Sequence, residues 1–147
     1  MRAAVLARTL LVSISLGCAA ILCAQAPATE TPKPESARGT LVQRDGKPAL
    51  ETADHKTIWL EGDDAITDVI NDERLRGMDF EALGHFTSPD HFQIEPSFQR
   101  PLYVHKDGKR LMVTYWCGTC YIRTYRPGEC WCCHKYTDLD LRESVDR

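Results

Sequence analysis

Three runs of alternating apolar and polar residues, one short helical stretch and two further alternating runs predict a mainly β, small α+β fold. That order is the order of an OB-like five-stranded barrel with one short helix between the third and fourth strands. A third observation extends the fold past the barrel: a C-terminal β-hairpin leads into cysteines spaced like zinc-ribbon knuckles. Strand order does not prove barrel closure, so another small antiparallel α+β fold is the alternative.

The elements are expected after residue 37. Arg2 and Arg8 flank an apolar run from Thr9 to Cys23, and Ala24-Gln25-Ala26 follows. A basic start, an apolar middle and a small-residue end make residues 1–26 a secretory signal peptide. Cleavage sites at Ala24, Ala26 and Ala28 compete, because Pro27 follows Ala26. Ser15-Leu16-Gly17-Cys18 forms a weak lipobox, in which Cys18 is the position lipidation would take. Residues 27–37 are rich in Pro, Thr and Glu with almost no apolar content, the composition of a disordered tether.

Thr40-Leu41-Val42-Gln43 reads as the first strand, Asp45-Gly46 as a hairpin centre and Pro48 to Thr52 as the returning strand. Thr57-Ile58-Trp59-Leu60 is the third. Ile66, Val69 and Ile70 fall on one face of a short helix that Asp63 or Asp64 caps, and Gly77 marks the exit. Phe80 to Phe86 is a fourth strand with an irregularity at Gly84, and Phe92 to Glu95 a fifth. These complete a barrel over 38–100. Residues 101–147 form a hairpin and cysteine-knuckle tip, in which Leu102 to Val104 pairs with Leu111 to Tyr115 around Asp107-Gly108, and Thr137 to Leu141 is a last strand.

Five of the seven cysteines lie within 17 positions, as Cys117-x-x-Cys120, nine residues, then Cys130-x-Cys132-Cys133-His134. Thioredoxin chemistry matches Trp116-Cys117-Gly118-Thr119-Cys120 locally, but the chain after Cys120 is too short to complete that fold. Haem c attachment matches Cys130 to His134 as C-x-x-C-H, yet it leaves Cys117 and Cys120 without a role and no distal ligand stands out. Paired C-x-x-C knuckles use all the spacing. Each aims two sulfurs at one point, so Cys117, Cys120, Cys130 and Cys133 are the expected ligands of one zinc ion. Cys132 and His134 are alternative ligands, and Cys132 is also the candidate redox thiol. Four thiolates around zinc carry a net charge of about −2, which Arg123, Arg126 and Lys135 are close enough in sequence to offset. Disulfides without metal are the alternative, since exported small domains commonly pair their cysteines.

The net charge is −3, and removal of Arg2 and Arg8 with the leader leaves 16 basic against 21 acidic residues, or −5. An acidic exported domain offers no electrostatic footprint for nucleic acid. No Ser/His/Asp or P-loop pattern appears, no catalytic residue is assigned, and an enzyme is not the expected class. His55, His85, His91 and His105 have no metal spacing and read as solvated or half-buried. Trp59, Trp116 and Trp131 read as packing residues, with Trp131, inside a knuckle, the one open to exposure for binding. The expected function is an exported, non-enzymatic binding or interaction module for a protein or small ligand. The alternative is a periplasmic thiol-redox or haem c protein. Membrane association is expected only through lipidation at Cys18.

Three segments carry a resemblance: Ala53-Asp54-His55-Lys56, Gly84-His85-Phe86-Thr87, and Thr114 to Cys133. They resemble uncharacterised exported bacterial proteins with an OB-like region followed by Tyr-Trp-Cys-x-x-Cys-x-Ile-Arg-x-Tyr-x-Pro-Gly-x-Cys-x-Cys-Cys. The resemblance implies no established activity. That family carries Gln where this chain has His134, which weakens both haem attachment and a ligand role for His134.

Overall fold

The computed structural model describes residues 33–143. The expected signal peptide, Cys18 and most of the tether lie outside the described residues. Among the described residues, nine strands form one continuous sheet around a single short α-helix.

Five strands close a barrel. β1 (Glu35–Arg44) pairs antiparallel with β2 (Lys47–Glu51), and β2 with β3 (Thr57–Glu61). β3 runs parallel to β5 (His91–Ile94), which pairs antiparallel with β4 (Asp79–Ser88). β4 returns to β1, from Thr40↔Asp79 to Glu35↔Gly84. β1 closes the circle because its two halves serve different neighbours: residues from Thr40 onward face β2, and residues up to Thr40 face β4. Asp45-Gly46 turns the first hairpin with positive φ at both residues, the backbone that its type requires.

β1 starts earlier than the sequence predicts. Glu35, Ser36 and Ala37, assigned to the tether by composition, pair with Gly84, Leu83 and Ala82, and Ala37 is buried in the core. Long-range ladder bonds and one buried methyl group outweigh the local Pro/Glu character of the segment. The tether therefore ends before residue 35.

α1 (Asp64–Ile70) sits between β3 and β4 and buries Ile66, Val69 and Ile70 against Leu41, Leu50, Phe80 and Phe92. Asp63 caps it: Oδ1 accepts from the Ile66 N–H at 2.9 Å, and Oδ2 accepts from the Ser97 N–H at 2.9 Å. A 3₁₀ turn, Glu73–Leu75, follows before Gly77.

The hairpin β6 (Leu102–Lys106) and β7 (Lys109–Cys117) is fused to the barrel rather than appended to it. β6 pairs with Asp79 to Ala82 of β4, end to end with β5, which takes Gly84 to Ser88. Leu102, Val104, Val113 and Tyr115 belong to the same core as Leu41 and Phe92. The expected division at 100/101 is thus no break in packing. β8 (Ile122–Thr124) and β9 (Asp138–Arg142) flank β7 on opposite edges, beside Tyr115 and Trp116. β8 occupies a β-branched, aromatic run to which the sequence reading assigns no strand.

Gly84 of β4 lies close against the backbone of β5. A Cβ there would sit 2.0 Å from the Gln93 carbonyl oxygen, and the register shift expected at Gly84 falls instead between Phe86 and Ser88. On the outer face, Glu81 accepts two bonds of 2.9 Å from Arg110, one of 2.9 Å from Ser36 Oγ, and lies 2.6 Å from His105 Nε2. Burial opposes its charge, but Arg110, His105 and Ser36 outweigh it and hold the Glu81 carboxyl at about 2.

Two predictions follow from these contacts. Gly84→Ala lowers stability by roughly 1–3 kcal/mol through overpacking against rigid backbone, read as a drop in the urea midpoint; an unchanged midpoint refutes the close approach. Glu81→Gln is destabilising above pH 4.5, the ordinary value for this group. Because the folded value is depressed, the wild-type advantage shrinks as pH falls from 4.5 toward about 2. Paired urea titrations across that range measure the difference.

Candidate metal centre

β7 carries the first ligand. Its alternation places Val113 and Tyr115 in the core and brings Cys117, 2% exposed, to the strand end. The chain then turns through Gly118, Thr119 and Cys120 and returns as β8, with Cys117 opposite Ile122. The Tyr121 N–H donates to the Cys117 carbonyl at 2.8 Å, which closes the first knuckle.

The second knuckle repeats this geometry without a full strand pair. Glu129 and Tyr136 form a single bridge, and the Cys130 N–H donates to the Lys135 carbonyl at 2.8 Å. The His134 N–H donates to the Cys130 carbonyl at 2.8 Å, as Tyr121 does to Cys117. The residue after the second cysteine is left-handed in both turns, with φ of 56° at Tyr121 and 59° at His134. This conformation lets the amide reach back four residues, and Gly is the usual residue in it. At the base, buried Thr137 donates through both its N–H (2.9 Å) and its Oγ1 (3.0 Å) to the Gly128 carbonyl.

The two knuckles bring Cys117, Cys120, Cys130 and Cys133 together, with all four Sγ atoms within 4.8 Å of one another. They can hold a metal ion. Cys117 Sγ and Cys133 Sγ are 3.5 Å apart. A disulfide requires about 2.05 Å, whereas the edge of a tetrathiolate tetrahedron with metal–sulfur bonds of about 2.3 Å is about 3.8 Å. All five described cysteines are free, so the disulfide alternative has no counterpart here. Cys117 and Cys130 are buried, while Cys120 and Cys133 are half-buried toward the surface.

Cys132 is exposed and outside the set of four. It nevertheless lies against Cys120: hydrogen bonding to Cys132 first, then to Cys133, pushes the Cys120 thiol well above its ordinary value. His134 is not brought into the cluster; it is exposed, and its left-handed backbone defines its role in the turn. For haem attachment Cys130 and Cys133 would have to face a porphyrin. Here both turn toward Cys117 and Cys120, and Cys130 is fully buried.

Two of the three basic residues near the cluster in sequence, Arg123 and Arg126, are engaged elsewhere. Arg123 pairs with Asp140 at 2.5 Å and donates to Thr114 Oγ1 at 2.7 Å, and Arg126 pairs with Asp68 on α1. Asp140 is therefore an ion-pair partner rather than a solvent-face residue. Arg123 also lies over the Trp116 ring, 5.0 Å from its centroid. Tyr121, Trp131 and Tyr136, each at least 74% exposed, surround the tip. The sequence reading missed Tyr121 as a structural position. The signal was there: Tyr121 and His134 occupy the same offset after their knuckles.

One network seats the centre on the barrel. Asp72 accepts from Arg74 and from the Tyr115 hydroxyl, the latter at 2.9 Å, and Arg74 Nη1 donates to the Thr137 carbonyl at 3.1 Å. Burial opposes charge on Asp72, but these bonds outweigh it and lower its pKa. Burial, and then the Asp72 charge, push the Tyr115 hydroxyl upward.

Compared with protein-family models, curated proteins and solved structures, the chain has no match.

His134→Gly is expected to retain full metal binding and to raise stability by up to about 1 kcal/mol by relieving the left-handed backbone. Metal content and the urea midpoint check this; loss of metal would make His134 a ligand instead.

Proposed function

We propose that this protein is an exported binding or interaction module whose C-terminal tip is held by structural zinc on Cys117, Cys120, Cys130 and Cys133. The convergence of four sulfurs from two separately closed knuckles carries the reading. Four thiolates complete a tetrahedral shell and leave no position for a substrate or an activated water, which favours a structural over a catalytic metal. Soft sulfur donors in tetrahedral arrangement suit zinc. The tip needs such a cross-link. Tyr121, Trp131 and Tyr136 face solvent, so little apolar burial holds its loops.

Export rests on the basic, apolar and small-residue order of residues 1–26. The acidic balance argues against nucleic acid as partner and leaves a protein or small ligand. A thiol-redox role is the second reading. Exposed Cys132, outside the set of four, supports it, because a purely structural site has no use for a fifth sulfur.

The two readings separate on one preparation. In protein from an oxidising compartment, elemental analysis should find about one zinc per chain, with four thiols protected from alkylation. Cys132→Ser should keep the zinc, whereas Cys117→Ser or Cys130→Ser should lose most of it. Metal-free protein with two disulfides, or a Soret band, defeats the structural-zinc account.

A further inference from the structure

A second site lies on the barrel, away from the cysteines. β3 alternates, with Ile58 and Leu60 toward the core and Trp59 and Glu61 outward. Trp59 stands opposite Ala49 on β2 and His91 on β5. Ala49 carries only a methyl group. The β1–β2 turn and the β4–β5 turn rise on either side and leave a cleft of about 380 Å³ lined by Trp59, Asp45, Lys47, Pro48, Glu61 and His91. Small-molecule sites occupy roughly 300–1,000 Å³. The sequence reading placed Trp59 among the packing residues. It is instead half-buried and forms part of the wall of this cleft.

The charged side chains of the cleft have no partners among the described residues. Among the described residues, Asp45, Lys47 and Glu61 make no side-chain hydrogen bond or ion pair. By contrast, Arg44 of β1 pairs with Glu51 of β2, and Arg38 of β1 with Asp79 of β4. His91 is fixed through Nδ1, which lies 3.0 Å from Asp90 Oδ1 and 3.1 Å from Ser88 Oγ, so Nε2 is the nitrogen left for a ligand. An aromatic face is thus combined with two acceptors, an ammonium donor and a positioned imidazole.

We propose that this cleft binds a short, uncharged oligosaccharide. The inference rests on the binding-module reading and names the site and ligand class. A pyranose presents C–H bonds on its faces and hydroxyls around its rim. The C–H face suits the electron-rich face of Trp59. The rim hydroxyls donate to Asp45 and Glu61, whose ionised oxygens accept strongly, and accept from Lys47. Two carboxylates against one ammonium disfavour phosphate-bearing polymers, which need a net positive lining.

The test follows backbone amide shifts of ¹⁵N-labelled protein during separate titrations with chitotetraose, maltotetraose and a dT12 oligonucleotide, each to about 1 mM, the upper end of weak recognition. A saccharide should shift residues 45–48, 59–61 and 91. Trp59→Ala should weaken the effect roughly tenfold or more. Glu61→Gln, which keeps the shape and removes one acceptor charge, should weaken it about tenfold. An unchanged spectrum elsewhere in each variant shows that it is folded. Saccharide shifts that persist in both variants overturn the assignment, as does silence with both saccharides. A response to dT12 alone overturns the sugar class but leaves the barrel a binding surface. Silence with all three probes removes the site, while the zinc content still reports separately on the tip.

Discussion

Tyr115 is fully buried, and a buried phenol needs a partner for its hydroxyl. Asp72 supplies it from the turn that follows α1. Once buried, Asp72 must itself be compensated, and Arg74, two residues on, does so with its backbone N–H, its Nε and its Nη2. The remaining reach of Arg74 goes to the Thr137 carbonyl and over the Tyr115 ring. Tyr115 precedes Cys117 by two positions on the same strand, and Thr137 closes the second knuckle. One buried carboxylate thus fixes the root of both cysteine turns relative to the barrel. The placement of the cysteine cluster depends on it, although Asp72 touches no sulfur.

The two ends of the molecule are held by different physics. The barrel owes its stability to ordinary burial, with Phe80, Phe92, Leu41 and Leu50 around the helix residues Ile66, Val69 and Ile70. The tip has no comparable core; its buried residues are mainly Cys117, Cys130 and Thr137. Covalent or coordinate cross-linking is the usual substitute where a core cannot be built. The ion pairs of Arg123 with Asp140 and Arg126 with Asp68 stitch the loops between knuckles to β9 and α1. These pairs tie Arg123 and Arg126 to carboxylates rather than to the sulfurs.

Features set by short-range chemistry were legible in the sequence. Asp45-Gly46 and Asp107-Gly108 announce hairpins, and both have positive φ at both residues. Ile66, Val69 and Ile70 with Asp63 announce a capped helix, and the cysteine spacing announces which four cysteines converge. What escaped depends on partners distant in sequence. Ser36 and Ala37 look like tether until Leu83 and Ala82 are placed beside them. β6 looks like part of a separate tip until it meets Glu81 and Phe80. Asp72 and Arg74 look like ordinary surface charges, because nothing local shows that Tyr115 and Thr137 will meet them. His134 was ambiguous for the opposite reason: its residue type invited a chemical role, while its backbone angle assigns a geometric one.

β7 runs for nine residues from the barrel to the first sulfur, a length of about 30 Å. β6 and β8 lie along one of its edges and β9 along the other. A load applied at the tip is therefore directed along the strand axis and meets these ladders in shear, with many hydrogen bonds resisting together rather than opening one at a time. The tip is mechanically continuous with the barrel, and a force on whatever the aromatic rim touches would reach the barrel core before it could peel the knuckles away.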